Sequence, residues 1–255
     1  MKANAITRIV IYSILILLLV GILCACLGLG QLSFRIGKMG TYVYGDASLK
    51  ASDISGLSID WAAGTIRITT ADTDTITFSE EGETDDDRMT YWMEGGTLHI
   101  SYSTGIRIGF TSTPSKDLNV TVPKDWVCSE LEIDGAALDI HTSDTQIGTL
   151  ELDGASNNLN VTGSINKLDC DGASNVITIS CTQRPSQIDM DGASCKLDLT
   201  LPKGCGFWVE MDGLDCDFDS RLPYQTRDEA HSYGDEYCRI DVDGISCKVN
   251  IEEAS

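Results

Sequence analysis

The pair Asp-Gly returns six times in the C-terminal half of this chain: Asp134-Gly135, Asp153-Gly154, Asp171-Gly172, Asp191-Gly192, Asp212-Gly213 and Asp243-Gly244. Successive spacings are 19, 18, 20, 21 and 31 residues. Self-similarity near 20 residues marks a repeat architecture, in which one unit cannot bury its own apolar face and stacks on its neighbours. Each pair follows two alternating apolar residues: Leu131 and Ile133, Leu150 and Leu152, Leu168 and Cys170, Ile188 and Met190, Val209 and Met211, Ile240 and Val242. Each precedes another alternating pair, such as Leu159 and Val161, Ile177 and Ile179, Leu197 and Leu199, or Val249 and Ile251. Alternation with period two is the strand pattern. One unit therefore reads as strand, Asp-Gly corner, strand and return turn. A series of such units predicts an all-β fold, a β-solenoid (β-helix-like) with regular rungs over 131–255. The position after each glycine (Ala136, Ala155, Ala173, Ala193, Leu214, Ile245) is expected to form an inward corner column, and the longest interval to hold an inserted loop over 221–237.

The segment 55–125 is a less regular relative of the same unit. Leu57-Ser-Ile-Asp60 followed by Ile66-Arg-Ile68 copies the rung without its glycine, and Leu118 to Lys124 is echoed by Leu197 to Lys203. Glu80 to Arg88 reads as an acidic loop between strands, and no segment carries an amphipathic-helix pattern.

No charged residue occurs between Arg8 and Arg35. The apolar run within that interval is long enough to span a hydrocarbon core as a helix. We expect residues 1–8 to be a cytoplasmic stub, 9–30 a single transmembrane anchor, 31–54 a juxtamembrane linker and 55–255 an extracellular domain. A second reading is a lipoprotein: Leu23-Cys24-Ala25-Cys26 has the form of a cleavage box with Cys26 as the lipidated residue. A cleaved secretory signal is the third.

Lys and Arg total 18 against 39 Asp and Glu, a formal charge of −21. That balance argues against nucleic acid and anionic lipid as partners, and for cations or basic polymers. The charge is patterned. Two positions before each repeat Asp stand Glu132, Glu151, Asp169, Asp189, Glu210 and Asp241. With Asp134, Asp153, Asp171, Asp191, Asp212 and Asp243 they make two parallel columns of carboxylates, if rungs stack about 4.8 Å apart. Unit charges about 5 Å apart repel by about 0.8 kcal/mol even at the dielectric of water. Such columns need relief. Turn amides bonded to the Asp of each Asp-Gly corner would supply it locally, and outer carboxylates can splay into solvent. Alternatively, adjacent rungs could share Ca²⁺ through oxygen ligands, or the face could hold a basic peptide, protein or envelope polymer.

Four positions after the repeat Asp come Leu138, Asn157, Asn175, Cys195, Cys216 and Cys247. Stacked Asn side chains can bond to one another. The stacked Cys are open to three readings: buried thiols, a disulfide with a spare thiol, or a metal site, although paired zinc-ligand spacing is absent here. Cys128, Cys181, Cys205 and Cys238 lie outside the column and are the better disulfide candidates. His141 stands near Asp139 and Ser143, yet neighbours along one exposed strand supply neither a pocket nor oxyanion donors. Trp92, Trp126, Phe207 and Trp208 are expected to close the core, and Tyr224, His231, Tyr233 and Tyr237 to decorate the inserted loop. No carboxylate pair stands apart as a glycosidase would require, so a polysaccharide-active solenoid is the weakest functional reading.

An N-terminal anchor, a Val-Pro-Lys strand end at Val122–Lys124 and serial strand-Asp-Gly-Ala-strand units resemble the bacterial putative-adhesin family of β-strand-repeat proteins. The resemblance covers about residues 55–255. It implies a cell-surface β-repeat module for adhesion, interaction or envelope structure, with no enzymatic activity and no cofactor.

Overall fold

Period-two alternation becomes fourteen hydrogen-bonded strands among the described residues, which are 42–82, 88–102, 115–227 and 230–254 of a computed structural model. All of these residues belong to one compact unit, Gly40–Ser103 with Pro114–Ser255. The strands are β1 (Val43–Tyr44), β2 (Ala47–Lys50), β3 (Gly56–Asp60), β4 (Ala63–Ala71), β5 (Thr75–Glu81), β6 (Thr90–Glu94) and β7 (Thr97–Ser101). They continue as β8 (Asp117–Pro123), β9 (Val127–Cys181), β10 (Gln187–Leu201), β11 (Phe207–Ser220), β12 (Gln225–Arg227), β13 (Ala230–Tyr233) and β14 (Cys238–Glu253). The described residues are therefore all-β, with one short 3-10 turn at Ala51–Asp53 and no helix long and apolar enough to cross a membrane. The anchor expected over residues 9–30 and the lipidation site expected at Cys26 lie outside the described residues.

Repeat units pair in parallel with matching positions opposite one another. Asp191 and Gly192 of β10 stand against Asp171 and Gly172 of β9 on one side and Asp243 and Gly244 of β14 on the other. Register is fixed by burial, because a slip of one residue would turn the apolar set outward. Ile188, Met190, Leu197 and Leu199 are essentially without exposure, as are Leu168, Ile177, Ile240, Val249 and their equivalents. Each such side chain contributes about 1.5–3 kcal/mol on leaving water.

The corner is not a turn. β9, β10, β11 and β14 run through their Asp-Gly pairs without interruption, and none of the six repeat glycines has a left-handed φ. What the glycine provides is space. A β-carbon on Gly154 would lie 2.6 Å from the Gly135 carbonyl oxygen and against the side-chain amide of Asn157. On Gly244 it would lie 2.6 Å from both the Gly192 carbonyl oxygen and Cys247 Sγ. The side chain three residues after each glycine folds back over it and fills that volume, so the inward corner column is Leu138, Asn157, Asn175, Cys195, Cys247 and Cys216. The expectation that the residue after the glycine points inward is corrected: Ala136, Ala155, Ala173 and Ala193 are exposed, Ile245 is 60% exposed and Leu214 is 90% exposed. That residue also stands outside the strand pairing on both sides, as Ala193 and Ile245 do between β10 and β14. The strand bends there and the parity of inward positions shifts by one.

Stacking does not follow the sequence at the C-terminal end. β14 lies between β10 and β11, so the last unit in the chain is the penultimate one in space. Between its partners, β14 supplies Ile240, Val242, Val249 and Ile251, all buried. β11 carries Asp215, Asp217 and Asp219 at alternate exposed positions, which suits an edge that must not pair further. The inserted segment makes the crossing possible. It folds into the β12–β13 hairpin, and β13 pairs antiparallel with β11 through Phe207 and Tyr233.

At the other end β3 adds another rung beneath β9, with Ser58 opposite Glu132 and Asp60 opposite Asp134. β4 pairs in parallel with both β9 and β8. β6 and β7 form a hairpin whose two-residue turn, Gly95-Gly96, needs positive φ at both positions (62° and 92°), as a twist-matched turn demands. The domain also begins earlier than expected. Residues 42–54, assigned above to a linker, contribute β1 and β2, which pair with β6 and β5, and bury Ala51 and Ile54.

A candidate acidic face

The register sets every predicted carboxylate. In spatial order the outer column is Glu132, Glu151, Asp169, Asp189, Asp241 and Glu210, and the column beside the glycines is Asp134, Asp153, Asp171, Asp191, Asp243 and Asp212. The structure brings all twelve to the strand face before the corner. It exchanges the last two members of each column relative to their order in the chain. β3 extends the second column by Asp60, a carboxylate that stood in the copied rung but lacked the Asp-Gly signature.

The electrostatics are those of like charges held in line. Burial first, then the carboxylates of Glu132, Asp153, Asp60 and Glu151, push Asp134 up to about 6. Asp60 is raised by burial. Glu151, Asp169, Asp191 and Asp241 are each raised by partial burial and then by neighbouring carboxylates, Glu151 first by Glu130 and Asp191 by Asp243, Asp171 and Asp189.

The local relief expected from turn amides is not found. Among the described residues no backbone amide donates to any of the twelve, because the strand passes the corner without a turn. The side-chain amide of Gln187 donates to Asp189 at 2.6 Å, and the Ser101 hydroxyl reaches Asp60 at 3.5 Å. The columns are linear arrays. Among the described residues, no group of three or more His, Cys, Asp or Glu is gathered as a metal cage.

The strand face after the corner is the contrast. There Lys196 pairs with Asp198 at 2.5 Å, Lys248 with Asp217 at 3.2 Å, and Asn250 donates to Asp198 at 2.6 Å. The lysine and the amide hold Asp198 below the usual carboxylate range against the opposing pull of burial. His141 Nε2 sits 3.1 Å from Asp139 on this same face, both about half exposed, while Asn158 also donates to Asp139. The pair is a surface contact beside Ser143, without a surrounding pocket.

The eight described cysteines are all thiols; seven are buried and Cys216 is exposed. Burial pushes Cys128 and Cys170 up to about 12, so these thiols are neutral. The Asn column holds one cross-rung bond, Asn157 Nδ2 to Asn175 Oδ1 at 3.4 Å. Of the aromatics, Phe207 is fully buried, and the Trp126 indole donates to the Ile54 carbonyl at 2.8 Å. In the inserted hairpin His231 stacks on Phe218 at 4.4 Å, with Tyr224 edge-on at 5.0 Å.

Sequence reasoning missed a buried ion pair. Lys116 Nζ lies 2.7 Å from Glu80 Oε2 with almost no exposure on either side chain. It also donates to the Tyr102 carbonyl at 2.7 Å and sits 3.9 Å from the Tyr102 ring. Glu80 Oε1 accepts from the Met89 amide at 2.6 Å, and the Trp61 indole donates to the Lys116 carbonyl at 2.9 Å. Glu80, read above as the start of an acidic loop between strands, is instead inward on β5.

No protein-family model and no curated protein matches the chain. Solved structures are similar to it at low identity. One is a "putative cell adhesion protein" from Clostridium sporogenes, at 9% identity and TM-score 0.49, covering 83% of this chain and 100% of that one. A "putative adhesin" from Bacteroides fragilis follows at 8% identity and TM-score 0.39, covering 84% and 97%. A "putative adhesin" from Parabacteroides distasonis is similar at 12% identity and TM-score 0.36, covering 85% and 98%. Their names match the family that the repeat resembles; the similarity reaches no further than that.

Proposed function

We propose that this chain is a non-catalytic β-solenoid module, tethered to the cell membrane by residues 9–30 and displayed on the extracellular side. There it binds basic polymers, cationic peptides or basic protein surfaces, in adhesion or envelope organisation. The observation that supports this reading most is the pair of carboxylate columns, twelve groups in register and almost without cationic partners, beside a second face on which lysines pair with carboxylates. A repulsion built into the fold and left unrelieved by the protein is relieved by a multivalent cation, and a flexible oligocation spanning several rungs gains from each contact.

The test is titration of the full chain with an oligolysine peptide at several salt concentrations, alongside a variant with Asp169, Asp189, Asp191, Asp241 and Asp243 changed to Asn. We expect binding that weakens steeply with salt and falls at least tenfold in the variant, as screened surface electrostatics require. Equal binding by variant and parent would overturn the proposal. A second reading, uptake of divalent cations along the same face, is favoured by the raised carboxyl groups. It requires the melting midpoint to rise with millimolar Ca²⁺, because a ligand held only by the native state stabilises it by mass action.

A further inference from the structure

Cys195, Cys247 and Cys216 occupy one position on three successive rungs, with Cys195 opposite Cys247 and Cys247 opposite Cys216. Each folds back over the glycine of its own rung, so all three share one side-chain direction; the place of a Gly192 β-carbon is 3.0 Å from Cys195 Sγ, and that of Gly244 is 2.6 Å from Cys247 Sγ. Cys247 interacts electrostatically with both neighbouring thiols. In-register positions on adjacent parallel strands have their Cα atoms about 4.8 Å apart, within the span that a disulfide bridges. The three differ in access. Cys195 and Cys247 are 2% exposed, whereas Cys216 lies on β11 beyond its short pairing with β13, where residues 212–217 are exposed and no described strand pairs on their outer side.

We propose that Cys216 and Cys247 form a thiol–disulfide exchange site, with Cys216 as the point of attack and Cys247 as the resolving thiol. The co-reactant is a small disulfide such as oxidised glutathione. In the first step the Cys216 thiolate attacks one sulfur of that disulfide. A mixed disulfide forms, the small disulfide's S–S bond breaks, and one equivalent of small thiolate leaves with the electron pair. In the second step the buried Cys247 thiol attacks Cys216 Sγ and gives up its proton to the departing small thiolate. The Cys216–Cys247 bond forms, the mixed disulfide breaks and the second equivalent of small thiol departs. Two protein thiols are oxidised, one small disulfide is reduced to two thiols, and Cys195 remains a thiol. Closure staples the edge rung β11 to β14, its one long partner among the described strands.

The experiment exposes the native full chain to oxidised glutathione, quenches samples over time by alkylation and maps the peptides by mass spectrometry. We expect a transient glutathione adduct on Cys216, then loss of two alkylatable thiols and a cross-linked Cys216–Cys247 peptide. In Cys247→Ala the adduct on Cys216 should persist at least tenfold longer, and in Cys216→Ser neither Cys195 nor Cys247 should be modified in the native protein. Three results would overturn the proposal: an adduct on Cys216 that stays in the parent chain, a Cys195–Cys247 link formed at the parental rate in Cys216→Ser, or Cys216-linked dimers in place of the internal bond.

Discussion

At the scale of single residues, the glycine of each repeat and the side chain three positions later form one device. The glycine leaves a hollow against the carbonyl of the adjacent rung, and Leu, Asn or Cys fills it. Gly154→Ala places a methyl group where the Gly135 carbonyl oxygen and the Asn157 amide already stand. We expect a loss of about 2–3 kcal/mol in denaturant melts, the cost of overpacking a fitted site. Ala155→Ser, at the exposed neighbouring position, should change stability by less than about 0.5 kcal/mol.

The Lys116–Glu80 pair sets a second expectation. Lys116→Met strands a buried carboxylate and should cost about 3–5 kcal/mol, while the double variant Lys116→Met/Glu80→Gln should recover much of that loss. Neither partner was legible in the sequence, because Lys116 and Glu80 are 36 residues apart and follow no period. The Asp-Gly column was legible because six identical dipeptides at near-constant spacing admit one stacking register. The direction of the residue after glycine was not. Alternation predicts parity only along an unbent strand, and the bend after glycine shifts it.

At the scale of elements, the order of the last two rungs is where sequence logic failed, since neighbours in a repeat were assumed to be neighbours in space. A signal was present. Asp215, Asp217 and Asp219 alternate along β11, a run of charge that suits an open edge. The inserted segment over 221–237 also gave the chain enough length to pass an edge. Hydrogen exchange distinguishes the two orders. With β14 inside, the amides of Cys247–Ile251 should exchange at least tenfold more slowly than those within Asp215–Asp219 that point to the open side. An edge position for β14 would reverse that ranking.

At the scale of the whole molecule, the net charge of −21 is not spread evenly. Lysines pair with carboxylates on the face after the corner, while the face before it keeps two nearly unrelieved columns. The register sets the twelve carboxylates in two columns, with Asp60 added and the C-terminal order changed. Membrane attachment, the partner and the adhesive role remain our proposals, and each rests on the sequence run at 9–30 or on the charge pattern.

The sign of the pH dependence follows from the columns. Asp134, raised to about 6, and Asp60, Glu151, Asp169, Asp191 and Asp241, all raised, bind protons more readily folded than unfolded. Their contribution to stability is complete below the ordinary carboxyl range near 4 and is lost as pH rises through each group's raised range, which for Asp134 lies at about 6. Asp117 and Asp198, held low by Arg67 and Lys196, act oppositely, but only once pH falls below that ordinary range.

The most direct test is the melting midpoint of the full chain between pH 8 and pH 5 at low ionic strength. It should rise as pH falls through this window, by a smaller amount in Asp134→Asn and in high salt. A midpoint that stays flat or falls from pH 8 to pH 5 would contradict the in-register carboxylate columns on which the whole account rests.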